Sequence, residues 1–316
     1  MKILFCVRHN FYEMAGGAYI QIIKTKEYLE KLGIECEITD KAEGMDFSGF
    51  DIVHLTDLTA TGDLLLYLKE LKSYKGKKVL STIYWPFDDY ASSGTPLLQR
   101  FFYKTLGING FELIKSIAKF LIRREKVYLQ GISKSYIQKQ IDIVKSVDWL
   151  LPNSQMEMDA LNDRLGLSLK NYTVVNNAID SLMYDEIISD YRVSRKQDLI
   201  TFVARIDPRK NQLNFLKAMM DTDYRIRFIG NVFPQFQSYY DELKGIALER
   251  GNVEFISHLS QEDLFKHTME AKVNVLTSWI ETPGLVSLEA AYAGCNIVVS
   301  DKGSVRDYFK DYAFYC

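Results

Sequence analysis

Short apolar runs, each followed by a segment of helical period, recur along almost the whole chain, and this alternation constrains the fold more than any other feature. Ile3 to Val7, Cys36 to Thr39, Ile52 to Leu55, Val79 to Ile83, Trp149 to Leu151 and Thr173 to Val175 form a first set. Leu199 to Ala204, Ile226 to Ile229, Val253 to Ile256, Val273 to Leu276 and Ile297 to Val299 form a second. Runs this short and this apolar read as strands buried on both faces, so the pattern predicts parallel sheets covered by the intervening helices. Between the sets lies a polar, mixed stretch from Asp180 to Gln197. The expectation is therefore an α/β chain of two Rossmann-like, doubly wound domains, residues 1–180 and 181–316, facing each other across a cleft. In open sheets of this kind ligands bind beyond the carboxyl ends of the strands, so the loops after these runs are where chemistry is expected.

Length and composition fit two such cores. A chain of 316 residues exceeds the usual size of one core, and 47% hydrophobic with 25% charged residues is a globular balance. The net charge of -2 argues against nucleic-acid binding through bulk electrostatics. Cys6, Cys36, Cys295 and Cys316 show no metal-ligand spacing and read as reduced thiols. The opening Met1-Lys-Ile-Leu-Phe-Cys-Val runs at once into Arg8-His-Asn, too short for a signal peptide or a membrane span, so a cytoplasmic protein is expected.

The segment Glu281-Thr-Pro-Gly284-Leu285-Val286-Ser-Leu-Glu289 stands between a strand-like run and a helix of small residues. The first N–H groups of a helix have no intrahelical partner and lie at the positive end of its dipole, where an anion is stabilised. Gly284, Leu285 and Val286 are placed to offer them. Glu281 before the helix and Glu289 within it bracket that point, so a sugar nucleotide fits: phosphates at the helix start, hydroxyls for the carboxylates. The second set of runs opens with Thr201-Phe-Val-Ala-Arg205-Ile-Asp-Pro-Arg-Lys210-Asn211. A strand-end arginine and a lysine five residues on converge two cations on a diphosphate, one as a planar fork and one as a point charge. After the first run, Met14-Ala-Gly16-Gly17-Ala18 offers a paired glycine at a helix start, which lets a backbone approach a ligand closely.

These residues together resemble the family 4 retaining glycosyltransferases of the GT-B fold, described as glycosyl transferases group 1. The resemblance is strongest over 199–307 and looser over 1–180, and the C-terminal end is short against the family's usual length. It implies a metal-independent transferase, of hexosyltransferase type, that moves a sugar from a nucleoside-diphosphate-sugar to an acceptor hydroxyl with retention. No cofactor beyond that donor is implied. The implied catalytic residues are Arg205, Lys210 and Glu281, with the first two stabilising the departing diphosphate. Gly16, Gly17, His258, Gly284, Leu285, Val286 and Glu289 are the implied donor contacts, His258 lying in Ser257-His-Leu-Ser-Gln beside the base. Ala204 and Asn211 depart from the family's glycines, and Asn211 can take a left-handed conformation or cap the next helix.

The acceptor side carries fewer signals. Many relatives place a histidine after the run corresponding to Val79 to Ile83; here Tyr84-Trp-Pro-Phe-Asp88 follows instead. Tyr84 and Asp88, with His54 at a strand end, are the candidate acceptor residues. Residues 97–140 carry nine basic residues from Arg100 to Lys139 against Glu112 and Glu125, with Phe101, Phe102, Phe111, Leu113, Phe120 and Leu121 among them. That mixture reads either as attachment to an anionic membrane on its inner face, where a lipid-linked saccharide acceptor would lie, or as a helical insertion with a basic solvent face. Surface glycan or lipid-linked saccharide synthesis is the implied setting. Three rivals stay open: a catalytically weak GT-B-like partner subunit, a sugar-nucleotide epimerase, and a metal-dependent transferase using Asp221-Thr-Asp223.

Overall fold

The computed structural model describes residues 1–13, 16–257 and 259–316, and divides into two compact units: residues 1–92 with 96–176, and residues 93–95 with 177–316. In the first unit β1 (Lys2–Cys6), β2 (Glu35–Thr39), β3 (Ile52–Thr56), β4 (Lys77–Ser81) and β5 (Trp149–Leu151) form one sheet in the order β2-β1-β3-β4-β5. In the second, β6 (Lys196–Val203), β7 (Arg225–Ile229), β8 (Val253–Ile256), β9 (Ala271–Leu276), β10 (Asn296–Val299) and β11 (Ala313–Tyr315) are ordered β11-β10-β9-β6-β7-β8. Every ladder is parallel. Each sheet reverses its winding beside its first strand, as a doubly wound sheet does.

The two-sided burial inferred from the runs is visible residue by residue. Successive side chains of a strand point to opposite faces. Leu4 and Cys6 of β1 pack with Val53, Leu55 and Leu80 on one side. Ile3, Phe5 and Val7 pack with Ile22 and Cys36 on the other. In the second unit Phe202, Phe215 and Phe228 meet with ring centroids 5.4 to 6.1 Å apart, around the middle of the sheet. Burying one such side chain contributes about 1.5–3 kcal/mol, so a few rings hold β6 and β7 against the helix Gln212–Ala218.

Three elements differ from the sequence reading. Thr173 to Val175 forms no full ladder; the chain there meets β5 through a single bridge, Leu150 to Tyr172, and Val175 stays exposed. The mixed stretch after Asp180 is a helix, Ser181–Asp190, because Tyr184 and Ile187 fall on one face and pack with Phe265 and Met269. The edge strand β11 was unforeseen: three residues with Phe314 exposed carry little periodic signal. The long segment Leu97–Arg123 is helical apart from Gly107, whose φ of 62° and ψ of -174° break it into two arms. Cys6, Cys36 and Cys295 are buried, Cys316 is exposed, and all four are free thiols.

Candidate functional site

The loops after β6 and β9 build the centre of the second unit. Beyond β6 the chain turns through Asp207, whose carboxylate accepts the backbone N–H groups of Arg209 at 2.9 Å and Lys210 at 3.2 Å. Asn211 then adopts the left-handed conformation, φ 65°, and launches Gln212–Ala218. Asp207 also pairs with Arg205, at 3.5 Å, while the Arg205 guanidinium lies 5.3 Å from the Phe233 ring centroid. Gln212 donates to the Arg205 carbonyl at 2.8 Å, which fixes the strand end. A backbone bond from Trp279 to the Arg209 carbonyl, 2.9 Å, ties this loop to the one after β9.

That tie brings Lys210 and Glu281 together across 71 residues of sequence: Nζ to Oε2 is 2.7 Å, with the side chains 11% and 15% exposed. Burial pulls the Lys210 ammonium below its ordinary value, and the adjacent Glu281 only partly restores it. Burial pushes Glu281 upward, but Lys210 and then Arg209 outweigh it, so its carboxyl ends below the ordinary value. Glu281 is braced from behind: Ser304 donates its N–H to the Glu281 carbonyl at 3.1 Å, and a Cβ built on Gly303 would meet that carbonyl oxygen at 1.9 Å. Only glycine, here at φ 84°, admits this approach.

The helix after the loop is Leu285–Tyr292, with Gly284 as its N-cap. Its first bonded amides are those of Ser287 and Leu288, both to the Gly284 carbonyl. The N–H groups of Leu285 and Val286 therefore have no intrahelical acceptor. They lie beside Glu281, whose Cγ is 2.9 Å from where a Gly284 Cβ would be. Glu289 is further along the same helix. Burial raises its carboxyl above the ordinary value, against hydrogen bonds from Tyr184 and Gln261. Gln261 donates to the Tyr184 hydroxyl at 2.9 Å, and the Tyr184 ring stacks on Phe265 at 4.1 Å. Tyr184 and Gln261 are site residues that sequence reasoning missed, the first because its helix read as an irregular crossing.

Arg205, Lys210, Glu281, Gly284, Leu285, Val286 and Glu289 thus share one unit and one side of one sheet. His258 lies outside the described residues. Gly16 and Gly17 belong to the first unit, where Gly16 caps the helix Gly17–Lys31 and both are exposed. Asp221 and Asp223 precede β7 rather than follow a strand, so they lie at the opposite sheet edge from Glu281. Among the described residues no three His, Cys, Asp or Glu side chains are grouped to hold a metal.

In the first unit two of the three acceptor candidates are buried. His54 is in mid-strand, since β3 continues to Thr56. It is buried, packs on Phe5 at 4.7 Å and hydrogen-bonds Ser81 Oγ at 2.8 Å, and burial drops its imidazole to about 4. It is a neutral core histidine. Tyr84 is buried as well: the chain after β4 turns at Ile83, φ 42°, and carries the Tyr84 ring into the first unit's core. Asp88 is engaged through Oδ1 by Arg164 at 3.0 Å and by the Tyr103 hydroxyl, and its side chain stays 33% exposed. The group that organises this loop is one the sequence reading passed over. Glu157, fully buried, accepts the Thr82 hydroxyl, the Tyr84 N–H at 2.9 Å and the Asn153 N–H at 3.0 Å. Burial lifts its carboxyl to about 7 despite these three donors. The signal was Ser154-Gln-Met-Glu157: Glu157 also donates its N–H to Ser154 Oγ at 3.0 Å, a helix cap whose carboxylate is left to bind elsewhere.

Residues 183–315, nearly all of the second unit, match the family model described as glycosyl transferases group 1. Solved structures resemble the whole chain. HepE of Anabaena, in complex with UDP and glucose, superposes with a TM-score of 0.64 at 14% identity, over 100% of this chain and 85% of its own. Sucrose-phosphate synthase of Thermosynechococcus elongatus gives 0.73 at 14% identity, over 100% and 85%. The lipopolysaccharide outer core galactosyltransferase WaaB, in its apo form, gives 0.56 at 15% identity, over 96% and 82%. At such identities the likeness is one of fold, and the fold is GT-B. No curated protein matches by sequence.

Proposed function

We propose that this chain, a GT-B protein whose second unit matches the group 1 glycosyl transferases, moves a sugar from a nucleoside-diphosphate-sugar to an acceptor hydroxyl with retention of configuration. One observation carries the reading: a buried Lys210–Glu281 pair at 2.7 Å set against the N–H groups of a helix start that have no intrahelical acceptor, with Arg205 on the neighbouring loop. Lys210, Arg205 and the amides of Leu285 and Val286 hold the diphosphate and stabilise the negative charge it gains as the C1–oxygen bond breaks. Glu281 accepts hydroxyls of the transferred sugar. Glu289 and its partner Tyr184 take the ribose. Two cations and a helix start supply the positive charge, so no metal enters the proposal. The UDP and glucose in the HepE structure support this class of donor.

The first unit takes the acceptor, a saccharide or lipid-linked saccharide of surface glycan synthesis. Burial of Tyr84 removes the side chain that stands where relatives carry a histidine, and this favours one second reading, a nucleotide-binding partner of another transferase. Two measurements separate the readings. A thermal-shift panel of nucleoside diphosphates identifies the base, and release of that diphosphate from its sugar donors, with a lipid extract present, detects turnover. Binding without release from any donor favours the partner, and conversion of the donor without acceptor an epimerase.

A further inference from the structure

The two helical arms of Leu97–Arg123 present an apolar surface that nothing among the described residues covers. After the break at Gly107, Leu113, Ile117 and Leu121 recur at every fourth residue and so share one face, with Ile114 beside them; Leu121 is 56% exposed. Before the break Leu97, Leu98 and Phe101 are 80%, 67% and 61% exposed. The opposite side of the second arm is the one held to the protein. Phe111 is buried there, and Lys119 Nζ lies 5.5 Å from the Tyr128 ring. The end of the arm is latched by Glu125, whose carboxylate pairs with His9 Nε2 at 2.9 Å. The outward apolar face is therefore fixed in place and is not a loose surface loop.

Charge selects what covers it. Residues 97–124 hold six basic side chains, Arg100, Lys104, Lys115, Lys119, Arg123 and Arg124, against Glu112 alone, in a chain whose net charge is -2. Two copies meeting through this face would bring like charges together, whereas an apolar face edged by cations complements acyl chains beneath anionic headgroups. Neither arm spans a bilayer, since no helix among the described residues is long and apolar enough to cross one. We propose that residues 97–124 lie in the plane of an anionic bilayer surface, Leu113, Ile117 and Leu121 inserted among the acyl chains, and so bring the first unit to an acceptor carried on a lipid. The last clause rests on the transferase reading; the attachment does not.

Co-sedimentation of the full chain with vesicles tests it. With phosphatidylcholine containing a third phosphatidylglycerol the protein pellets, with phosphatidylcholine alone it stays in solution, and raising the salt releases it. Ile117→Glu with Leu121→Glu weakens pelleting at least tenfold, and Arg123→Glu with Arg124→Glu weakens it on anionic vesicles only. Both positions are exposed, so urea midpoints match the wild type and loss of binding is not loss of fold. Failure to pellet with anionic vesicles overturns the proposal, as does equal pelleting of wild type and the apolar variant. A concentration-dependent dimer that the apolar variant abolishes would assign the face to a second copy and overturn it too. Nucleotide binding, measured without vesicles, tests the transferase reading separately.

Discussion

At the residue scale the site turns on one contact. Lys210 and Glu281 neutralise each other inside the second unit, and removing one leaves the other's charge buried and unpaired. Lys210→Ala is expected to cost about 3 kcal/mol of stability and to lower donor turnover by about 100-fold or more. Adding Glu281→Ala restores most of the stability and none of the turnover. Urea denaturation of the double-mutant cycle checks the first part, and diphosphate release the second. Glu157 gives a pH test. Its carboxyl is near 4.5 when unfolded and about 7 when folded. A raised value means the folded state holds its proton more tightly, so this contribution is full below about pH 4.5 and is lost as pH rises through 7. At about 1.4 kcal/mol per unit, the loss is about 3 kcal/mol at most. Wild type should lose stability relative to Glu157→Gln between pH 5 and 8, and parallel curves would refute the assignment. Residues like these divide by how local their signal is. Glu281 and Lys210 were legible because each belongs to a short motif at a strand end. His54 was misplaced because it was read as a strand end, whereas β3 runs on to Thr56. Glu157 hid inside a helix cap, its three donors arriving from segments the sequence cannot place side by side.

Among elements, the loop between β9 and the helix Leu285–Tyr292 depends on a neighbour. Gly303 lies against the Glu281 carbonyl, and the Ser304 amide bonds to it. Gly303→Ala forces these loops apart at a backbone angle alanine disfavours, and should cost about 2 kcal/mol. Because Glu281 moves with its backbone, the Michaelis constant for the donor should rise as well; an unchanged constant beside a lower urea midpoint would confine Gly303 to folding. Strands were the legible elements, since apolar runs in a two-sided sheet need no partner information to be found. Ser181–Asp190 was not, because its exposed face is polar and only contacts with Phe265 and Met269 make its buried face matter. β11 needed the adjacent β10 to be seen at all.

For the molecule as a whole, two cores imply two cooperative units, and the donor site as proposed belongs to one of them. A saturating nucleoside diphosphate should stabilise the second unit by about 2.7 kcal/mol at a hundred times its dissociation constant. Calorimetry should then show one transition moving and the other unmoved. Movement of the first unit's transition alone would sink the placement of the donor. The doubling of the fold was plain in the restart of the strand pattern. The Lys210–Glu281 pair has a further consequence for the protein's exchange with solvent. A diphosphate that draws Lys210 toward itself strips Glu281 of the cation that keeps it ionised, and burial then favours the neutral acid. Binding of the bare nucleoside diphosphate at mildly acidic pH should therefore take a proton from the buffer. Titration heats measured in two buffers of unlike ionisation enthalpy would register it, and the sugar-bearing donor, whose hydroxyls satisfy the carboxylate, should draw fewer protons.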